Sequence, residues 1–314
     1  MPLFCFLRGL KLAPFVCNKV RSMKKMSKKG SRFAVLLTIL ASSAGAVAQA
    51  ETAIGGFNQA NVPQQAQNAA AAAQQPAAQQ HPLVPALEMA YKTKQVMDTT
   101  LKDYSATVMK QERIGGTLGD PEYAFVKVRN QPFSVYMRFI GPKNLVDQEA
   151  MYVEGKNDGK MFAHAPPDTL RGRIGTVQIL PTSAIAMQGQ RYPITELGIA
   201  NLTKRLIEVG EHDKQFGECD VKFYQGAKVN GRECTMIEVT HPVPRRTFLF
   251  HKARIYLDNQ LNMPIRYEAY DWPAKEGEQP PMLESYTYMN LQINPGLTDA
   301  DFDARNKDYK FNLK

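Results

Sequence analysis

Between Tyr104 and Asp158 apolar and polar side chains alternate in short runs divided by turn residues. Tyr104, Ala106 and Val108 are out of phase with Ser105 and Thr107, until Gly115-Gly116 and Gly119-Asp120-Pro121 break the run. Tyr123–Arg129 resumes it, and Pro132 marks a corner. In the next run Phe133, Val135, Met137 and Phe139 share one side, while Ser134, Tyr136 and Arg138 share the other. A period of two over such a length predicts a strand with one buried face. Gly141-Pro142 ends it, and Glu149–Glu154 leads into the turn Gly155–Gly159. Alternating strands joined by short Gly, Pro and Asn turns predict an antiparallel meander rather than a parallel α/β sheet.

Two segments carry a helical period instead. Leu87, Ala90, Tyr91, Lys94, Met97 and Leu101 form one stripe of a helix opened by Pro85. A second helix is predicted over Thr195–Val209, with Leu197, Leu202, Leu206 and Val209 near one face. Gly175–Pro193 is apolar but broken by Pro181, Gly189 and Pro193, and its period is ambiguous. Strands return at Asp220–Gln225, Glu233–Val239, Lys252–Leu257, Ile265–Tyr270 and Ser285–Ile293. Asn230-Gly231 is a strong hairpin signal between the first two. The order helix, strands, helix, strands predicts an α+β domain with helices on one face of a single antiparallel sheet. The inward set then comprises Phe133, Val135, Met137 and Phe139, joined by Ile255, Leu257 and Ile265.

Composition changes this picture at the N-terminus. The net charge of +9 equals the nine basic residues of 1–50, a stretch without Asp or Glu, so the rest of the chain is neutral. No basic nucleic-acid-binding surface follows from a neutral body, so composition gives no support to nucleic-acid binding. Lys24–Arg32 is a positive segment, Phe33–Ala44 a short apolar one, and Ala46-Val47-Ala48 a small-residue cleavage site. That is the pattern of a secretory signal peptide, and the apolar run is short of the about 20 residues a membrane span needs. Thr52–His81 is Ala, Gln and Pro with few large apolar side chains, a composition that does not build a core. The expected organisation is a leader over 1–50, a tether over 51–82 and one domain over 83–314, in a protein exported to the cell envelope. Cys219 and Cys234 lie fifteen positions apart, and in an exported chain they suggest a disulfide, the alternative being two buried thiols.

Catalytic patterns are mostly missing. The chain has no G-x-S-x-G, H-E-x-x-H, C-x-x-C or phosphate-binding loop. Asp299, Asp301 and Asp303 open like a calcium loop, but Ala304 and Lys310 stand where Gly and Glu belong, so Thr298 reads better as a helix cap. His241 and His251 bracket Pro242–Arg246, and with His164 they could form a metal or acid–base site or simply end strands. Their irregular spacing favours strand ends. Arg245-Arg246 could bind an anion or lie in a solvated turn. Tyr267, Tyr270, Trp272, Tyr286 and Tyr288 cluster in the last strands and suit either a core or a cavity for acyl chains or glycans.

The amphipathic helix running into Asp103–Arg113, the strand Phe133–Pro142, the hairpin Glu154–His164 and the segment Leu261–Trp272 resemble the LolA/LolB-like superfamily of bacterial envelope proteins. From Leu83 to Phe311 the chain looks like an uncharacterised exported family known only as a domain of unknown function. The resemblance implies a curved antiparallel half-barrel whose concave side is filled by helices, with an apolar cavity between. It implies a non-catalytic periplasmic protein that holds a lipid or the acyl chains of a lipidated protein, and, with ligand and catalytic patterns missing, no cofactor or metal is expected. The alternatives are an envelope scaffold or sensor that binds another protein, and a hydrolase built on His241 and His251.

Overall fold

The computed structural model describes residues 80–166 and 175–313. The expected leader and nearly all of the expected tether lie outside these residues. The described chain runs α1 (Val84–Thr100), β1 (Asp103–Ile114), β2 (Thr117–Leu118), β3 (Glu122–Arg129), β4 (Ser134–Gly141), β5 (Glu149–Val153), β6 (Met161–His164) and β7 (Val177–Ile179). It continues with α2 (Ile199–Asp213), β8 (Asp220–Val229), β9 (Arg232–Thr240), β10 (Lys252–Asp258), β11 (Met263–Tyr270) and β12 (Met282–Ile293).

All strands pair antiparallel in one open half-barrel sheet, ordered β7-β6-β5-β4-β3-β1-β12-β11-β10-β9-β8, with β2 a short flap on β1. Two meanders therefore meet where the first strand pairs with the last, Val108 opposite Tyr288. The Asn230-Gly231 turn has positive φ at both residues, as a two-residue hairpin turn requires.

Both helices lie on the same face of the sheet, here termed inner. Pro85 sits in the first turn of α1, where the missing N–H costs nothing. The helix α2 begins later than its apolar pattern suggests. Ile194–Glu196 forms one 3-10 turn, and Gly198, at φ +122°, re-aims the chain into α2. A Cβ on Gly198 would stand 3.1 Å from Tyr104 Oη, and that hydroxyl accepts a hydrogen bond from Ile199 N at 3.0 Å. The start of α2 is thus set by a fully buried tyrosine from β1.

The outer face is covered over one half. Phe302, Tyr309 and Phe311 from the C-terminal segment pack on Tyr136, Met151 and Val153, with Tyr309 stacked on Tyr136 at 3.8 Å. Asp301 accepts from Thr298 N at 2.9 Å and from Lys127 Nζ at 2.7 Å, so the acid-rich segment caps a short 3-10 turn and ties it to β3.

The disulfide expectation is corrected by the strand register. Cys219 and Cys234 are both buried free thiols. Cys219 precedes Asp220, which pairs with Thr240, whereas Cys234 pairs with Ala227. At roughly 3.3 Å per residue the two are about 20 Å apart, far beyond the about 7 Å between Cα atoms that a bridge tolerates. Burial pushes the Cys219 thiol up to about 11, with the Asp213 and Asp220 charges adding to it.

Candidate functional site: an apolar cavity beneath the helices

The inner face falls into two parts. Against β1, β3 and β4 it is filled: Tyr104, Val126, Val128 and Val135 are fully buried beneath Met97, Leu101 and Ile199. Phe139 is buried in the same cluster, and Phe133 and Met137 pack against it. These four residues of the expected site, in and just before β4, are brought together, Val135 and Phe139 as buried core and Phe133 and Met137 half-buried against it.

Against β9, β10 and β11 the packing is incomplete. A cavity of about 80 Å³ lies between the first three turns of α1, the middle and end of α2, and the sheet. Ile255 and Leu257 of the expected site line it, with Leu87, Leu206, Ile237 and Phe250. Ile265 does not join them. The register skips it between Tyr256–Arg266 and Leu257–Pro264, so at this bulge it packs instead with Val229 and Cys234. The helices cross closely over the cavity, since a Cβ on Gly210 would meet Leu87 Cδ2 at 2.8 Å.

One charged residue, Asp213, lines the cavity. Asp213, in the last turn of α2, is buried and accepts from His212 Nδ1 at 2.8 Å. His241 Nε2 lies 3.3 Å from its other oxygen but off the line for a hydrogen bond. The fully buried His241 ring stacks on Phe248 at 4.0 Å, and its Nδ1 donates to Phe250 O at 3.1 Å. His251 Nδ1 donates to His241 O at 2.9 Å, and Trp272 Nε1 donates to the same oxygen at 3.1 Å. Both histidines thus hold strand ends by backbone bonds, and His164 contacts Thr176 Oγ1 at 3.4 Å. Among the described residues no group of three His, Cys, Asp or Glu is arranged to hold a metal. Arg245 is paired with Glu218 in an exposed turn.

Where the two parts meet, a polar cluster closes the inner face. Glu112 and Glu284 stand opposite each other across β1 and β12. The segment after β7 supplies their partners: Arg191 N donates to Glu112 at 3.1 Å, Arg191 Nε lies 2.7 Å from Glu284, and Tyr192 Oη donates to Glu284 at 3.1 Å. Tyr286 Oη donates to Glu112 at 2.5 Å, and Lys110 Nζ reaches Glu122 at 2.8 Å and Gln190 at 2.6 Å. Burial raises the Glu284 carboxyl above its ordinary range, the Glu112 charge adds to this, and Arg191 and Tyr192 oppose it. Burial also holds the Tyr192 and Tyr286 hydroxyls far up, as donors. Sequence reasoning missed this cluster, although Lys110 and Glu112 share the inward phase of Tyr104 and Val108, an anomaly in an apolar stripe.

The family described as protein of unknown function (DUF1571) matches residues 101–311. No curated protein matches the chain in sequence. Among solved structures, the lipoprotein LppX of Mycobacterium tuberculosis is 12% identical, with 70% of this chain and 100% of that one covered at a TM-score of 0.39. A LolA superfamily protein from Nitrosomonas europaea is 9% identical, covering 69% and 96%, at 0.29. The MucA/MucB complex from Pseudomonas aeruginosa gives 14% identity, 70% and 61% coverage, and 0.38. No described helix is long and apolar enough to cross a membrane.

Proposed function

From the premise that the chain belongs to the DUF1571 family of proteins of unknown function, we propose that it is an exported, non-catalytic binder of a hydrocarbon chain, carried by a lipid or a lipidated protein. The observation that carries this reading is the apolar cavity between α1, α2 and β9–β11, whose wall includes Leu83, Ala86, Leu206, Ile237, Ile255 and Leu257. At about 80 Å³ it holds only a few methylenes, on the scale of roughly 30 Å³ for a water in the liquid. A longer chain enters when α1 lifts from α2. Each methylene then buried contributes about 0.8 kcal/mol, set against the packing lost along α1 and the ordering of the ligand. A periplasmic setting goes with the leader pattern of residues 24–48.

A fluorescent fatty-acid probe tests this. Binding is expected, with Ile255→Trp filling the cavity and Leu257→Glu charging it, each weakening binding at least tenfold while circular dichroism stays unchanged. A probe that does not bind the wild-type protein sinks the proposal. In its place the protein-contact reading would stand, favoured by the outer face of β9–β11. There Arg254 lies over Tyr270 at 5.7 Å and Arg266 over Tyr256 at 5.6 Å, all half-exposed. Arg and Tyr are the residues that anchor protein interfaces.

A further inference from the structure

The inner face has a second recess, at the other end of α1 from the apolar cavity. It is a groove of about 740 Å³, bounded by the last turn of α1, residues 101–103, the corner 129–133, Tyr152 and Glu154 of the β5 end, and the turn before α2. That volume falls within the range of roughly 300–1,000 Å³ typical of small-molecule sites.

Its chemistry separates it from the cavity. Phe133 and Tyr152 form a half-buried aromatic pair, ring centroids 6.3 Å apart and tilted by 47°. Glu154 accepts from Phe133 N at 3.2 Å, which holds the carboxylate beside the rings. Lys102, Gln131 and Thr195 complete the rim. The frame is stiff: Asn130 donates from its backbone N to Lys102 O at 2.9 Å and from Nδ2 to Leu101 O at 2.7 Å. The lining is too polar for a hydrocarbon chain. Its carboxylates Asp98, Asp103 and Glu154 outnumber the lining cations Lys102 and Arg129, and Asp98 is itself paired with Lys94 at 2.5 Å, so the lining carries no excess positive charge to attract a phosphate or a polyanion. Of these, Asp103 already accepts from Gly296 N and Leu297 N, and Arg129 is paired with Asp299.

An aromatic pair rimmed by amide, hydroxyl and carboxylate groups complements a sugar, which presents an apolar C–H face and a ring of hydroxyls. The geometry points to a binding site in this groove for a neutral or N-acetylated oligosaccharide of about two or three rings. The assignment does not depend on the apolar cavity, which lies under the other end of α1.

The test is to titrate the whole protein with chitotriose and with maltotriose at up to millimolar concentration, following amide shifts by NMR. At least one is expected to bind, with shifts centred on Lys102, Phe133 and Tyr152. Tyr152→Ala should weaken that binding about tenfold with an unchanged Tm, and Gln131→Ala, at an exposed position, by a few-fold. Leu257→Glu, in the cavity, should leave it unaltered. The assignment is overturned if neither saccharide binds the wild-type protein. It is equally overturned if Tyr152→Ala binds as tightly as wild type, or if a short peptide displaces the saccharide at equal concentration.

Discussion

The two ends of the inner face are built from the same materials and reach different results. Under β1, β3 and β4, Val126, Val128, Val135 and Ile199 have no exposed surface beneath the helices. Under β9–β11, Ile255 and Leu206 stay only partly buried around an open volume. The filled end has a large hub, Tyr104, that reaches across to cap the first turn of α2 and packs edge-on against Tyr288 at 6.3 Å. The hollow end has no such hub. At the end of α2 its margin is polar, with Asp213 beside His212 and His241. Cores filled to crystal-like density resist change, whereas a gap marks where a helix can shift at low cost.

Truncation tests that contrast most strongly. Ile199→Ala should cost about 4 kcal/mol in urea unfolding, because a sealed core cannot collapse onto the void. Ile255→Ala, at a wall that already borders empty space, should cost about 1–2 kcal/mol. Equal losses would break the comparison.

A smaller effect belongs to the turn between β10 and β11. Asp258 pairs with Arg232 and accepts from Gln260 N and Leu261 N, each at 2.9 Å, and these bonds hold its carboxyl below its ordinary value of 3.8. Burial opposes them, yet the net direction is down. The contribution is therefore complete above 3.8 and lost as pH falls through the lowered value. Asp258→Asn should cost about 2 kcal/mol at neutral pH and flatten the acid limb of the stability curve.

Glu284, where the two ends meet, has the opposite sign. Its folded value lies above 4.5, so its contribution is complete below 4.5 and lost as pH rises through the raised value. Glu284→Gln should remove that decline, seen as a flatter Tm profile between acid and neutral pH. An unchanged profile would show that Arg191 fully compensates the charge.

Gly210→Ala should have the least effect. The new methyl meets the far end of Leu87, which can turn into the cavity, and the helix gains about 1 kcal/mol of propensity. A net change within about 0.5 kcal/mol is expected, and a loss above 2 kcal/mol would mean the cavity cannot accept Leu87.

Local pattern accounts for much of this. The phase of Val135, Met137 and Phe139 is their phase in β4, and Asn230-Gly231 makes the hairpin its dihedral preferences demand. The limits of α2 were not legible, because Leu197 continues its apolar stripe and only the approach of Tyr104 imposes the break at Gly198. Ile265 was misplaced by a bulge, which shifts phase without a mark in the alternation. The cysteine pair was misjudged for a related reason, since separation along the chain says nothing of strand register.

By itself the sequence determined the antiparallel class, the two helices and the apolar side of each strand, because periods of 2 and 3.6 follow from local backbone geometry. Only the tertiary structure decided that β1 would pair with β12, that Glu112 would therefore face Glu284, and that the space beneath the helices would be filled around Tyr104 but left as a cavity against β9–β11. Those outcomes depend on how side chains distant in sequence share volume and charge once the sheet has formed, and no local period encodes that sum.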